Sequence, residues 1–209
     1  DEWNVWYHSN EQDQEVWKRG KWGRSLPLLE DVYNFEDALL VGAMLITFLK
    51  NADRVKVACM AQLVNVIAPI MTRAGGGAWA QTIFYPMMDA SMYGRGKSLQ
   101  PIITTDKHDT KHFNDVPTID AAATMDDAGN VTIFAVNRDL SEPVKLELDM
   151  RAFGDLKPEF HTVLHHDDMK AINTEENPDE VKPVQVPVVV EDGCIMLPAA
   201  SWNVIRFVK

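Results

Sequence analysis

Glu2 stands in the stretch DEWNVWY, with Trp3 beside it and Trp6 and Tyr7 just beyond. A carboxylate among aromatic rings suits the chemistry of sugars. Aromatic faces stack on the apolar faces of sugar rings, and the carboxylate can stabilise or attack an oxocarbenium-like centre. On composition alone, a solvated strand-end acid next to core aromatics accounts for the same residues. Gln62 closes the apolar run RVKVACMA. It could bond a ligand hydroxyl there, or simply satisfy loop backbone.

Two histidine groups raise the question of a metal. His108 and His112 are four apart, and His161, His165, His166, Asp167 and Asp168 form a polar cluster. Both groups fall in expected connections, without cysteine partners or an HExxH pattern, so no metal site is expected. Asn130-Val131-Thr132 matches a glycosylation sequon inside a tight turn, a chance-prone match. The triple glycine Gly75-Gly76-Gly77 lacks the Lys-Ser/Thr of a phosphate loop, and no nucleophile elbow is present.

The elements that must carry these residues change character near residue 100. The aromatic and β-branched stretch from Glu2 to Tyr7 predicts a strand, and Asn10 to Tyr33 a long polar loop. Asn34 predicts a helix N-cap, with Glu36 and Asp37 in the first turn of a helix running to about Lys50. That helix is apolar nearly all round, which predicts burial. Arg54 to Ala61 predicts a second strand, and Trp79 to Tyr93 a second helix bent at Pro86. The order is two βα units, the signature of a parallel sheet or barrel, and two units cannot close an eight-stranded barrel. Gly94-Arg95-Gly96-Lys97 reads as a linker. Beyond it, the runs at 119–125, 131–137, 144–149, 160–164, 184–190, 194–197 and 202–208 alternate as short strands of an antiparallel β-sandwich, with a hairpin turn at Asp126–Asn130. The expected division is 1–97 and 98–209.

Composition narrows the function classes. The 209 residues are 46% hydrophobic and 24% charged, within the globular range, and the net charge of -11 speaks against a nucleic-acid partner. The longest apolar run, from Ala38 to Leu49, falls short of the roughly 20 residues that cross a bilayer, so no membrane partner is expected. Cys59 and Cys194 each lie in an apolar stretch, which predicts two buried thiols in a reducing compartment.

Six segments together resemble one family: DEWNVWY, LLEDVYNFEDALLVG, ADRVKVACMAQLVNVIAPIMT, QTIFYPMMDASMYGRG, DVPTIDAAATMDDAGNVTIFAVNRD and LPAASWNVIRF. Their order and spread resemble the C-terminal half of glycoside hydrolase family 51, the intracellular α-L-arabinofuranosidases. The resemblance implies the end of a (β/α)8 TIM barrel, from strand seven onward, followed by an antiparallel β-sandwich. It implies a retaining hydrolase of arabino-oligosaccharides with no cofactor, a cytoplasmic location and a homo-oligomer such as a hexamer. Glu2 matches the nucleophile, Gln62 a residue that bonds a sugar hydroxyl in the arabinose subsite, and Trp6 an aromatic that shapes the pocket. The loop with Trp17 and Trp22 would border the acceptor side. The chain departs from the family in one large respect: the acid/base Glu follows an Asn on strand four, and the Asn10-Glu11 pair here lies in a loop. The first six strands would therefore lie on another stretch of polypeptide. Other readings remain a β-xylosidase or endoglucanase on the same scaffold, and a non-catalytic carbohydrate-binding or assembly subunit.

Overall fold

The computed structural model describes residues 2–6, 14–15, 18–20, 29–188 and 194–209. Strand β1 (Glu2–Trp3) leads through a long connection to helix α1 (Phe35–Lys50), then to β2 (Cys59–Met60). A hairpin of β3 (Ile70–Thr72) and β4 (Ala78–Ala80) precedes helix α2 (Phe84–Tyr93). There follow β5 (Lys97–Leu99), the small pair β6 (Lys107–His108) and β7 (Val116–Pro117), β8 (Ile119–Met125), β9 (Val131–Asn137) and β10 (Val144–Glu147). The chain ends with β11 (Lys157–His165), β12 (Val184–Val186), β13 (Cys194–Leu197) and β14 (Ser201–Val208).

Helix α1 begins where its cap chemistry requires. The Asn34 side chain accepts from the Asp37 backbone N–H at 3.1 Å, and the Asp37 carboxylate accepts from the Asn34 N–H at 2.8 Å. This reciprocal box satisfies two donors that a helix start leaves open. Only a narrow stripe of α1 (Glu36, Leu40, Thr47) is exposed. Phe35, Ala38, Leu39 and Ile46 pack with Phe134, Leu164 and Trp202, while Val41 and Leu45 pack with Val5, Tyr33 and Ile83. The helix is apolar on two sides because it serves two cores.

β1 and β2 pair in parallel, Glu2 opposite Cys59 and Trp3 opposite Met60. The second layer is a six-stranded antiparallel sheet in the order β12-β11-β14-β9-β8-β5. One face carries α1. The other is covered by the pair β10–β13, with Ile119, Ile133, Ile205 and Phe207 meeting Ile195 and Leu197. The β8–β9 hairpin turns as its residues demand: Asp126 accepts from the Ala128 and Asn130 N–H groups, and Gly129 has φ +82°. The fold class expected from the sequence stands: α/β plus all-β, the end of a barrel followed by an antiparallel β-sandwich.

Several local expectations are corrected. Trp79 lies in β4, not in a helix, and α2 starts only at Phe84. The reason is the Gln81 side chain, which donates to the carbonyls of Asp31 and Ala68 and accepts from Tyr33 N–H, anchoring this stretch as loop. Pro86 is then the third helical residue. Its missing N–H falls among those a helix start leaves open, so it has no ladder bond to break. Arg54 to Ala61 contributes only Cys59–Met60 as strand, since a strand extends only as far as a neighbour pairs it. Lys97, read as linker, opens β5 and pairs with Met125. Cys59 is exposed and Cys194 half-buried, so the expected burial of both thiols fails. Tyr7, much of the 10–28 loop and residues 189–190 lie outside the described residues.

Candidate active site

The parallel pairing of β1 with β2 sets Glu2 opposite Cys59, at the start of β2, and Gln62 follows two residues after the end of that strand. Catalytic residues gather at that end in barrels of this kind. Register carries the link: the Ala61 N–H donates to the Trp3 carbonyl at 3.0 Å, and Gln62 follows at once, through a cis peptide bond. Gln62 is exposed, two residues beyond the end of β2. Trp3 packs edge-on against Phe48 of α1, ring centroids 4.9 Å apart. Glu2, one residue before it, is exposed.

Val5 is buried in the core shared with α1, and Trp6 is 58% exposed. Trp17 and Trp22 lie outside the described residues. Glu2 also lines a cleft of about 530 Å³ with Trp3, Phe48 and residues 54–58. Neither Trp6 nor Gln62 borders it. Residues 54–58 precede β2, so this cleft runs back from the strand exits where barrel chemistry takes place.

Asn4 was not singled out from the sequence, and it ties the site together. Its amide nitrogen donates to the carbonyls of Ala61 at 2.7 Å and Ile67 at 2.5 Å, and its oxygen accepts from Val5 N–H at 2.7 Å. A signal was there: in a strand of period two, Glu2, Asn4 and Trp6 share one face. Gln81 was also missed. It is 1% exposed and spends its amide on three backbone groups. Nothing in the local pattern distinguishes it from a surface glutamine.

The histidine groups do not converge. His161 is buried in β11, not in a connection, and meets Asn203 Oδ1 at 3.0 Å. Burial pushes its pKa below the ordinary value. His165 also lies in β11, and its Nδ1 faces the Ala200 carbonyl. His166 Nε2 faces Glu180, and exposed His108 belongs to β6. Among the described residues no three His, Cys, Asp or Glu side chains gather as a metal set. The Asn130 amide of the sequon is engaged with Asp126 at 2.9 Å. No helix among the described residues is long and apolar enough to cross a membrane.

Comparison with known proteins adds an independent line. The chain is 54% identical, over all of its length, to the intracellular exo-α-(1→5)-L-arabinofuranosidase of Halalkalibacterium halodurans, and it covers 42% of that protein. It is 52% identical to intracellular exo-α-(1→5)-L-arabinofuranosidase 1 of Bacillus subtilis, again over 100% of this chain and 42% of the relative. The chain thus spans less than half the length of these relatives. Among solved structures, a family 51 α-L-arabinofuranosidase of Bifidobacterium longum superposes with a TM-score of 0.91 at 39% identity, covering 100% of this chain and 42% of that one. Residues 1–201 match the family described as the α-L-arabinofuranosidase C-terminal domain. The chain belongs to that family, as its segments suggested.

Proposed function

We propose that this chain supplies the nucleophile half of the active site of a retaining α-L-arabinofuranosidase acting on arabinose-containing oligosaccharides. The observation that carries this reading is the parallel register that sets Glu2 beside the segment leading into Gln62, in a chain of this family. The relatives' names point to removal of terminal units joined by α-(1→5) bonds, inside the cell.

In this reading the Glu2 carboxylate attacks the anomeric carbon of the terminal arabinofuranosyl unit and forms a glycosyl–enzyme ester. A second carboxyl group, about 5–5.5 Å away, protonates the departing oxygen and then takes a proton from the water that releases arabinose. Gln62 bonds a sugar hydroxyl and Trp6 walls the pocket. The second carboxyl comes from the remaining barrel strands. A two-stranded parallel sheet with Val57 and Leu63 two-thirds exposed fits a barrel that further polypeptide completes. Residues 1–97 then supply the last two βα units and 98–209 a bracing sandwich, in a homo-oligomeric enzyme.

The test uses the full-length enzyme. Glu2→Gln is expected to lower turnover on an aryl arabinofuranoside by on the order of 10³-fold or more while the melting temperature holds. Glu2→Ala with added azide should form an arabinofuranosyl azide of inverted configuration, because the small anion fills the place of the carboxylate. A variant that keeps more than a few per cent of activity removes Glu2 from the mechanism.

A further inference from the structure

We propose that Asn4 is a positioning residue that sets Gln62 relative to Glu2; the proposal rests on the roles given to those two residues above. Gln62 opens a short loop, residues 62–66, that leaves β2 and returns at Ile67. The carbonyls at the two ends of this loop, Ala61 and Ile67, are both held by the one amide nitrogen of Asn4, at 2.7 and 2.5 Å. Asn4 lies two residues after Glu2, and its oxygen is locked in turn by Val5 N–H. Any movement of the loop neck is therefore referred to the strand that carries Glu2.

The loop needs such a clasp. Asn65 has φ +61° and Ile67 has φ +41°. A β-branched residue in that region is strained and persists only where its surroundings over-determine it. The strained Ile67 is held at both polar groups, its carbonyl by Asn4 and its N–H by the Leu29 carbonyl at 2.7 Å. The loop is also tied to β3, where the Asn65 N–H donates to the Ile70 carbonyl at 2.9 Å. Among the described residues, the Asn4 clasp is the side-chain hydrogen bond that connects it to the Glu2 strand. Of the common side chains, an asparagine or glutamine amide combines two donors for the carbonyls with an acceptor for Val5.

Asn4→Asp keeps the shape and the bond to Val5 but turns a carboxylate oxygen toward two carbonyls. In the full-length enzyme this should lower kcat/KM about 30- to 100-fold, the scale of a roughly 1 Å misplacement of a positioned group. The discriminating measurement is a cycle with Gln62→Ala. If Asn4 acts through Gln62, Asn4→Asp costs no more than about threefold in the Gln62→Ala background. An equal loss in both backgrounds, or less than threefold loss in the parent, overturns the proposal. Should Asn4→Asp not fold, Asn4→Gln takes its place, since it keeps the amide and moves it by about one C–C bond, ~1.5 Å. If neither variant folds, Asn4 serves the fold and the proposal fails. Glu2→Gln, assayed in parallel, separates the outcomes: full activity there would remove the site itself, whatever Asn4 does.

Discussion

Asp89 is the buried acid with the clearest consequence. It is 4% exposed, and Trp202 Nε1 donates to it at 2.9 Å. Burial raises its pKa from 3.8 to about 6, and the indole hydrogen bond opposes that rise. The folded protein thus favours the neutral acid. The stability this confers is complete below the unfolded value of 3.8 and is lost as pH rises through about 6. Asp89→Asn keeps an acceptor for the indole and cannot ionise. Denaturant unfolding of the full-length variant should exceed the parent by up to about 3 kcal/mol at pH 8, and the two should converge near pH 4. Parallel curves across that range would refute the assignment. The sequence offers no sign of this group, because burial depends on what the sheet brings over α2. Glu2 is the opposite case. Its aromatic neighbours single it out in the sequence, and its role is the one proposed above.

At the scale of elements, α1 shows how a local pattern and a tertiary demand can conflict. Gly42 lies mid-helix, where alanine ordinarily gains about 1 kcal/mol. A Cβ there would come within 2.5 Å of Trp202 Cε3, on a ring that is fully buried and stacked with Phe134. Gly42→Ala is therefore expected to destabilise by about 1–3 kcal/mol, the usual cost of overpacking a rigid core. Thermal unfolding measures it, and a rise in melting temperature would mean that the ring yields. The cap at Asn34, the β8–β9 hairpin and β13 were legible to the residue, because the first two are set by local chemistry and the third is a short apolar run. The β3–β4 hairpin was not. Its strands are three residues long, and the anchor that sets it off from α2, Gln81, acts on Asp31 and Ala68.

For the whole molecule, the junction between barrel part and sandwich is a shared core. α1 covers one face of the six-stranded sheet, Lys50 and Arg138 both pair with Asp120, and Ser98 Oγ donates to the Leu49 carbonyl at 2.6 Å. Arg206 lies over the Tyr93 ring at 5.5 Å and pairs with Asp126 and Glu159. Residues 98–209 expressed without the preceding part would uncover Phe134, Leu164 and Trp202. That fragment is expected to bind a hydrophobic dye and aggregate, while residues 1–209 do so less. A soluble 98–209 with a cooperative melt would show that the sheet needs no cover from α1.

The sequence by itself determined what is local or repeated along the chain. Cap chemistry, period-two alternation and turn residues act within a few positions, so they set α1, the sandwich strands and their main hairpin. The aromatic setting of Glu2 and six family-like segments were likewise open to direct reading. The tertiary structure alone decided which distant groups meet: Asn4 with Ala61 and Ile67, Trp202 with Gly42 and Asp89, and His161 with Asn203. Those contacts join residues from 42 to 160 positions apart. Their energies depend on burial and distance, which arise only when the layers pack.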